Sequence, residues 1–170
     1  TLNFQKEEPI MSLNALCTPR PSVFVADRRA TVLNLDTFLK DKVHGPDFFE
    51  ENFFTNGMNI LVDRAFRQLS GNGAGSSVFL LSQAMGGGKT HSMIALGLLA
   101  RDPVLRKKIL GEDDPAPSLG RCRVAGFNGR STDAPGGIWG SIAEQIGKSE
   151  QFAKYISPLL SAPGPEAWKQ

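Results

Sequence analysis

Between Ser77 and Arg101 the chain reads SVFLLSQAMGGGKTHSMIALGLLAR. No other stretch restricts its folding choices as much. A short apolar run, Val78-Phe79-Leu80-Leu81, has the composition of a buried strand. Three glycines come next, Gly86, Gly87 and Gly88, and then Lys89 and Thr90. From Lys89 the residues are helix formers that are apolar on most sides, as expected of a helix packed between other layers. Strand, glycine-rich turn and helix in this order form the setting of a phosphate-binding loop.

Each residue type in that loop has a physical task. Glycines lack a Cβ, so the backbone can take positive φ and come close to an anion. Successive N–H groups then converge on phosphate oxygens, and the start of the helix adds unpaired donors and the positive end of its dipole. Lys89 is expected to reach the β- and γ-phosphates, and the Thr90 hydroxyl to ligate Mg²⁺. The pattern G-x-x-x-x-G-K-[ST] is not complete. Its first glycine falls on Gln83, and Gly86 and Gly87 are extra. The expected nucleotide-contacting set is Gln83, Ala84, Met85, Gly86, Gly87, Gly88, Lys89, Thr90 and His91, with Lys89 and Thr90 as the catalytic pair. His91, in the first helical turn, is expected to be neutral, because a cation there opposes the dipole.

The surroundings divide into three expected segments. Residues 1–21 are a polar, proline-containing arm. Residues 22–76 are a mostly helical segment that braces the nucleotide-binding core. Val23-Phe24-Val25 and Thr31-Val32-Leu33 flank Arg28 and Arg29 there as short extended runs around a solvated turn. Asp36 is expected to cap a helix over residues 37–42, and Gly45-Pro46 to open another carrying Phe48, Phe49, Phe53 and Phe54 inward. His44 between them is read as an ordinary loop histidine. Thr55 or Asn56 caps a helix running to Leu69. Met58, Leu61, Val62, Ala65, Phe66 and Leu69 share one stripe of it, with Arg64 and Arg67 off that stripe.

Residues 77–170 are the expected start of that nucleotide-binding core. After the central helix, Asp102-Pro103 begins a polar helix to Leu110. Residues 111–117, with Glu112, Asp113 and Asp114, read as a solvated loop and not a metal site. Arg121 to Phe127 is expected as the second strand of a βαβ unit, with Arg130 just beyond it at the end where α/β sheets place ligands. A surface arginine on an ordinary turn is the plainer account of Arg130. Ile138, Trp139, Ile142 and Ile146 line a further helix closed by Gly147, and Ser149 caps one carrying Phe152, Tyr155 and Ile156.

Composition excludes little. The net charge of +2 on 170 residues neither demands nor rules out nucleic acid. Cys17 and Cys122 have no metal-ligand spacing, which suggests reduced thiols in a cytoplasmic protein. No 18-residue apolar run suggests a membrane partner.

SVFLLSQAMGGGKTHSMIALGLLA, with TPRPSVF upstream and FNGRSTDAPGGIWGSIAEQIG downstream, resembles the prokaryotic P-loop ATPases grouped as domain of unknown function 499. The resemblance runs from about Thr18 to Gln170. It implies a three-layer α/β P-loop NTPase fold of AAA+ kind, incomplete here, preceded by the helical segment. It implies ATP and Mg²⁺ as ligands, ATP hydrolysis driving conformational work, and a setting in phage-defence or DNA-modification systems. DNA, defence-system proteins and further copies of the chain are the partners it suggests. The family's loop also lacks the first glycine. No apolar strand ending in Asp-Glu comes after the loop, so the Walker B carboxylates are expected beyond Gln170, and the chain alone is expected to bind without turnover. The alternative is a nucleotide-gated switch that binds ATP and does not hydrolyse it.

Overall fold

The computed structural model describes residues 17–19, 24, 33–82, 84, 86–129 and 136–153. The chain divides into two compact units, Thr1–Val32 and Leu33–Gln170. In the first, Cys17 is exposed. The second is a cluster of helices. Readings that involve Val23, Val25, Arg28, Arg29, Thr31, Val32, Arg130, Tyr155 and Ile156 lie outside the described residues.

Helix α1 spans Leu35–Leu39. Its N-cap is Asn34, not Asp36. Asn34 Oδ1 accepts from the Thr37 amide at 2.8 Å and from the Thr37 hydroxyl at 2.7 Å. Asp36 lies in the first turn, where a carboxylate favours the dipole. Helix α2 spans Gly45–Glu51 with Pro46 in its first turn. His44 holds the N-cap position and pairs with Asp47 at 3.0 Å. Phe48 is buried, and Phe49 and Phe54 pack against the same core. Phe53 does not join them and is 85% exposed.

Helix α3 spans Asn56–Leu69, and Thr55 caps it through Oγ1 to the Met58 amide at 3.3 Å. Met58, Leu61, Val62, Ala65 and Phe66 form its buried stripe. Leu69, at the last turn, is exposed.

Helix α4, Lys89–Arg101, is the axis of the unit. Helix α5, Pro103–Leu110, starts directly after it. Ile94, Ala95, Gly97, Leu98, Leu99 and Ala100 are buried, and α1, α2, α3 and α5 all pack on α4. A helix apolar on nearly every side is stable only when neighbours cover it. Gly97 explains how one neighbour comes so close. A Cβ there would lie 2.5 Å from Cζ of Phe38, so the glycine gives that ring its seat despite the helix-propensity cost of about 1 kcal/mol. Asp102 caps α5, with Oδ1 accepting from the amides of Val104 and Leu105.

The polar reading of α5 misses Arg106. That side chain is 1% exposed, and its guanidinium lies over the Phe66 ring at 4.9 Å. Nε donates to Asp114 at 3.0 Å, and Nη2 donates to the carbonyls of Ala116 and Leu119. Asp114 accepts in addition from the Ala116 amide at 2.9 Å. The acidic run is therefore split. Glu112 and Asp113 are exposed, whereas Asp114 is the buried anchor of the loop.

The expected α/β architecture is overturned, because the described residues contain helices and no strand. Val78 to Leu81 is not paired in a ladder, and only Phe79 and Leu81 of the run are half-buried. Val78 is 80% exposed and Leu80 is 87% exposed. A strand interior requires ladder partners for its N–H and C=O groups. In residues 121–127, Cys122 and Gly126 find backbone partners by other means. The Cys122 amide donates to the Ala100 carbonyl at the end of α4, at 2.8 Å. Helix α6, Gly137–Gln145, supplies the next partner. Its Gln145 side chain brackets Gly126, whose amide donates to Gln145 Oε1 at 3.0 Å and whose carbonyl accepts from Gln145 Nε2 at 2.8 Å. A glutamine amide thus stands where a neighbouring strand would be.

Helix α6 is closed as expected by Gly147, with φ +71°. Ala143 is its buried residue. Trp139, Ile142 and Ile146 are half-buried, and Ile138 is exposed. A short helix α7, Ser149–Phe152, comes next, with Lys148 at the N-cap position in place of Ser149, and it buries Phe152 completely. Among the described residues no helix is long and apolar enough to cross a membrane.

Candidate functional site: the glycine turn at the start of helix α4

The turn before α4 is built around one carbonyl. The Gly87 amide donates to the Ala84 oxygen at 3.0 Å, and Lys89 Nζ donates to the same oxygen, also at 3.0 Å. The lysine side chain is thereby folded back across the turn that precedes it.

Gly86 and Gly88 both adopt left-handed backbone, with φ of +82° and +77°. Other residues rarely take that conformation, and a β-branched residue there would be strained. A Cβ at either position would meet nothing within 4 Å. The glycines are therefore required by backbone angle and not by crowding, and the space over them is open. Left-handed backbone on either side of Gly87 is one ingredient of an anion-facing nest, while the Gly87 amide itself is turned to the Ala84 oxygen.

Gly88 is also the N-cap of α4, and no side chain among the described residues caps the helix there. The Gly88 carbonyl accepts from the amide and hydroxyl of Ser92 at 2.9 and 3.1 Å, which fixes the first turn. The N–H groups at the head of a 13-residue helix thus lack a side-chain cap. Helices α1, α3 and α5 differ in this respect, since Asn34, Thr55 and Asp102 cap them through their side chains.

The structure brings Ala84, Gly86, Gly87, Gly88, Lys89, Thr90 and His91 together, with Ala84, Gly86 and Gly87 exposed and the other four half-buried. Gln83 and Met85 lie outside the described residues. His91 faces α2, its ring 6.2 Å from that of Phe48 and tilted by 31°. It is thus a packing link between α2 and the start of the loop helix, a role that the long separation in sequence hides. Thr90 places a hydroxyl at the second position of the helix. Among the described residues no three His, Cys, Asp or Glu side chains gather into a metal-binding group. Any cation at the turn would be held by Thr90, by water and by oxygens of the ligand it accompanies.

In structural class, the site is a glycine-framed helix N-terminus with a lysine folded over it, set at one end of a buried central helix. Residues 33–108 match the family model of the DUF499 N-terminal domain. The matched region covers a little under half of the chain. It begins with the second compact unit and contains the glycine turn and the whole of α4. No curated protein and no solved structure matches the chain.

Proposed function

We infer that this turn binds the phosphates of ATP. One observation carries the reading: Gly86 and Gly88 in left-handed conformation frame the head of α4, which has no side-chain cap, with Lys89 Nζ folded over the same turn. Backbone donors, helix dipole and ammonium then act on one small volume, and each of these favours an anion. Lys89 would take β- and γ-phosphate oxygens. Thr90 would supply one oxygen to the Mg²⁺ that accompanies the nucleotide. In the full-length protein we propose hydrolysis of the bound ATP, coupled to conformational work in a DNA-linked defence system, with DNA or defence-system proteins as partners. The resemblance of the Gly-Gly-Gly-Lys-Thr-His and Gly-Ile-Trp-Gly blocks supports that setting.

The test is a calorimetric titration of ATP into the full-length protein with and without Mg²⁺. Saturable binding that tightens with Mg²⁺ is expected. Thr90→Ala should remove most of the Mg²⁺-dependent gain and leave metal-free affinity nearly unchanged. No ATP binding at millimolar concentration would sink the reading. Binding without turnover under any condition, DNA included, would retain the site and replace the motor with a nucleotide-gated switch.

A further inference from the structure

At the other end of α4, about 18 Å from Lys89, lies a second group of cations. Arg121 and Arg123 are two apart in the segment between α5 and α6, and both are exposed. Their neighbours Cys122 and Val124 pack against the core. Both arginines nevertheless border one cavity together with Arg101. Arg101, at the last turn of α4, joins them. It is firmly placed, with Nη1 2.7 Å from Asp41 Oδ1 and the guanidinium 4.3 Å over the Phe38 ring.

These three arginines line one cavity of about 430 Å³, where Asp41 is the only carboxylate among the described residues. An adjoining cavity of about 560 Å³ shares Arg101, Arg121 and Asp41 with it and has apolar walls from Phe38, Leu98 and Leu105. Arg101 is committed to Asp41, and Arg123 donates to the Ile146 carbonyl at 3.1 Å. The Arg121 guanidinium, which borders both cavities, has no hydrogen bond or ion pair among the described residues.

We propose that this face is a second phosphate-recognition site, separate from the glycine turn, in which Arg121 and Arg123 grip a phosphate group and Arg101 sets the field behind it. Three guanidiniums against Asp41 in the smaller cavity, with Asp102 beside the larger one and engaged in capping α5, leave an excess that suits a phosphate dianion or a phosphodiester chain. Arg121 is the residue that decides affinity, because it gives up no partner among the described residues on binding. The proposal does not depend on ATP binding at Lys89.

The experiment uses the full-length protein carrying Lys89→Ala, so that the glycine turn contributes little. Inorganic phosphate and a fluorescent single-stranded DNA oligonucleotide are titrated separately, with a glutamate-rich peptide as a third probe. Arg121→Ala is expected to weaken the phosphate-bearing probe roughly tenfold or more, with Arg121→Lys in between. Circular dichroism should not change, since the side chain is exposed. DNA binding lost in Arg121→Ala and falling steeply with salt identifies a nucleic-acid backbone as the source. Phosphate binding without DNA binding identifies a small phosphate ligand. The proposal is overturned if neither probe binds, if Arg121→Ala leaves binding unchanged, or if the acidic peptide binds more tightly than both.

Discussion

Replacing Lys89 with alanine is expected to bring the proposed ATP hydrolysis of the full-length protein to background and to weaken the proposed ATP binding about tenfold to a hundredfold. The ammonium is the full positive charge that the structure folds over the glycine turn. Backbone N–H groups and the helix dipole remain in the variant, so some affinity for phosphate should survive. Hydrolysis has less to fall back on, because it needs charge stabilisation of the transferring phosphoryl group and not merely its retention. Lys89→Arg is a useful companion. A planar guanidinium is larger and cannot reproduce the point charge at the Ala84 oxygen, so it should restore binding more than turnover. Unchanged hydrolysis in Lys89→Ala would remove the glycine turn from the chemistry.

The largest stability effect should come from Arg106→Ala, with a loss of about 3–5 kcal/mol in urea unfolding of this chain. Its guanidinium is fully enclosed, donates to Asp114 and to two carbonyls, and rests on Phe66. Removing it strands the Asp114 carboxylate at 9% exposure and leaves those two carbonyls without this donor. The mutation also opens a void beside the core aromatic. The wild-type arrangement is itself imperfect, since Nη1 is buried and has no hydrogen-bond partner among the described residues. Replacing the pair together, Arg106→Met with Asp114→Leu, should therefore recover most of the loss. A single-mutant cost below about 1 kcal/mol would mean that the pair does not hold the 111–119 loop onto α5.

Much of the helical layout is legible in local chemistry. The Thr55 cap and the stripe from Met58 to Phe66 define α3. Asp102-Pro103 marks the break between α4 and α5, and the apolar surround of α4 announces its central place. Boundary errors arise where two caps compete. Asn34 and Asp36 are both good N-caps, and the Thr37 hydroxyl, by adding a second bond to Asn34, is the detail that favours the earlier one.

The two strand readings fail for a different reason. A run such as Val78 to Leu81 says that backbone and side chains need cover, but the cover is nonlocal and the run does not specify it. At residues 121–127 the partner is a helix side chain, Gln145, and no pattern of period two announces that. Arg106 is hidden likewise, because a cation on a short helix is ordinarily a solvated one. The glycine turn is more readable, since Gly86 and Gly88 adopt backbone that few residues tolerate. Which of the three glycines would take it is not evident in the row Gly86-Gly87-Gly88.

Hydrogen exchange of the full-length protein, with and without ATP and Mg²⁺, tests the central claim most directly. Slowed exchange is expected in the peptide covering residues 84–93, where the amides of Gly86, Gly88, Lys89 and Thr90 would donate to phosphate while that of Gly87 stays on the Ala84 oxygen. Lys89→Ala should reduce that protection strongly. Saturable ATP binding with no protection in this peptide, or with protection confined to other parts of the protein, would contradict it.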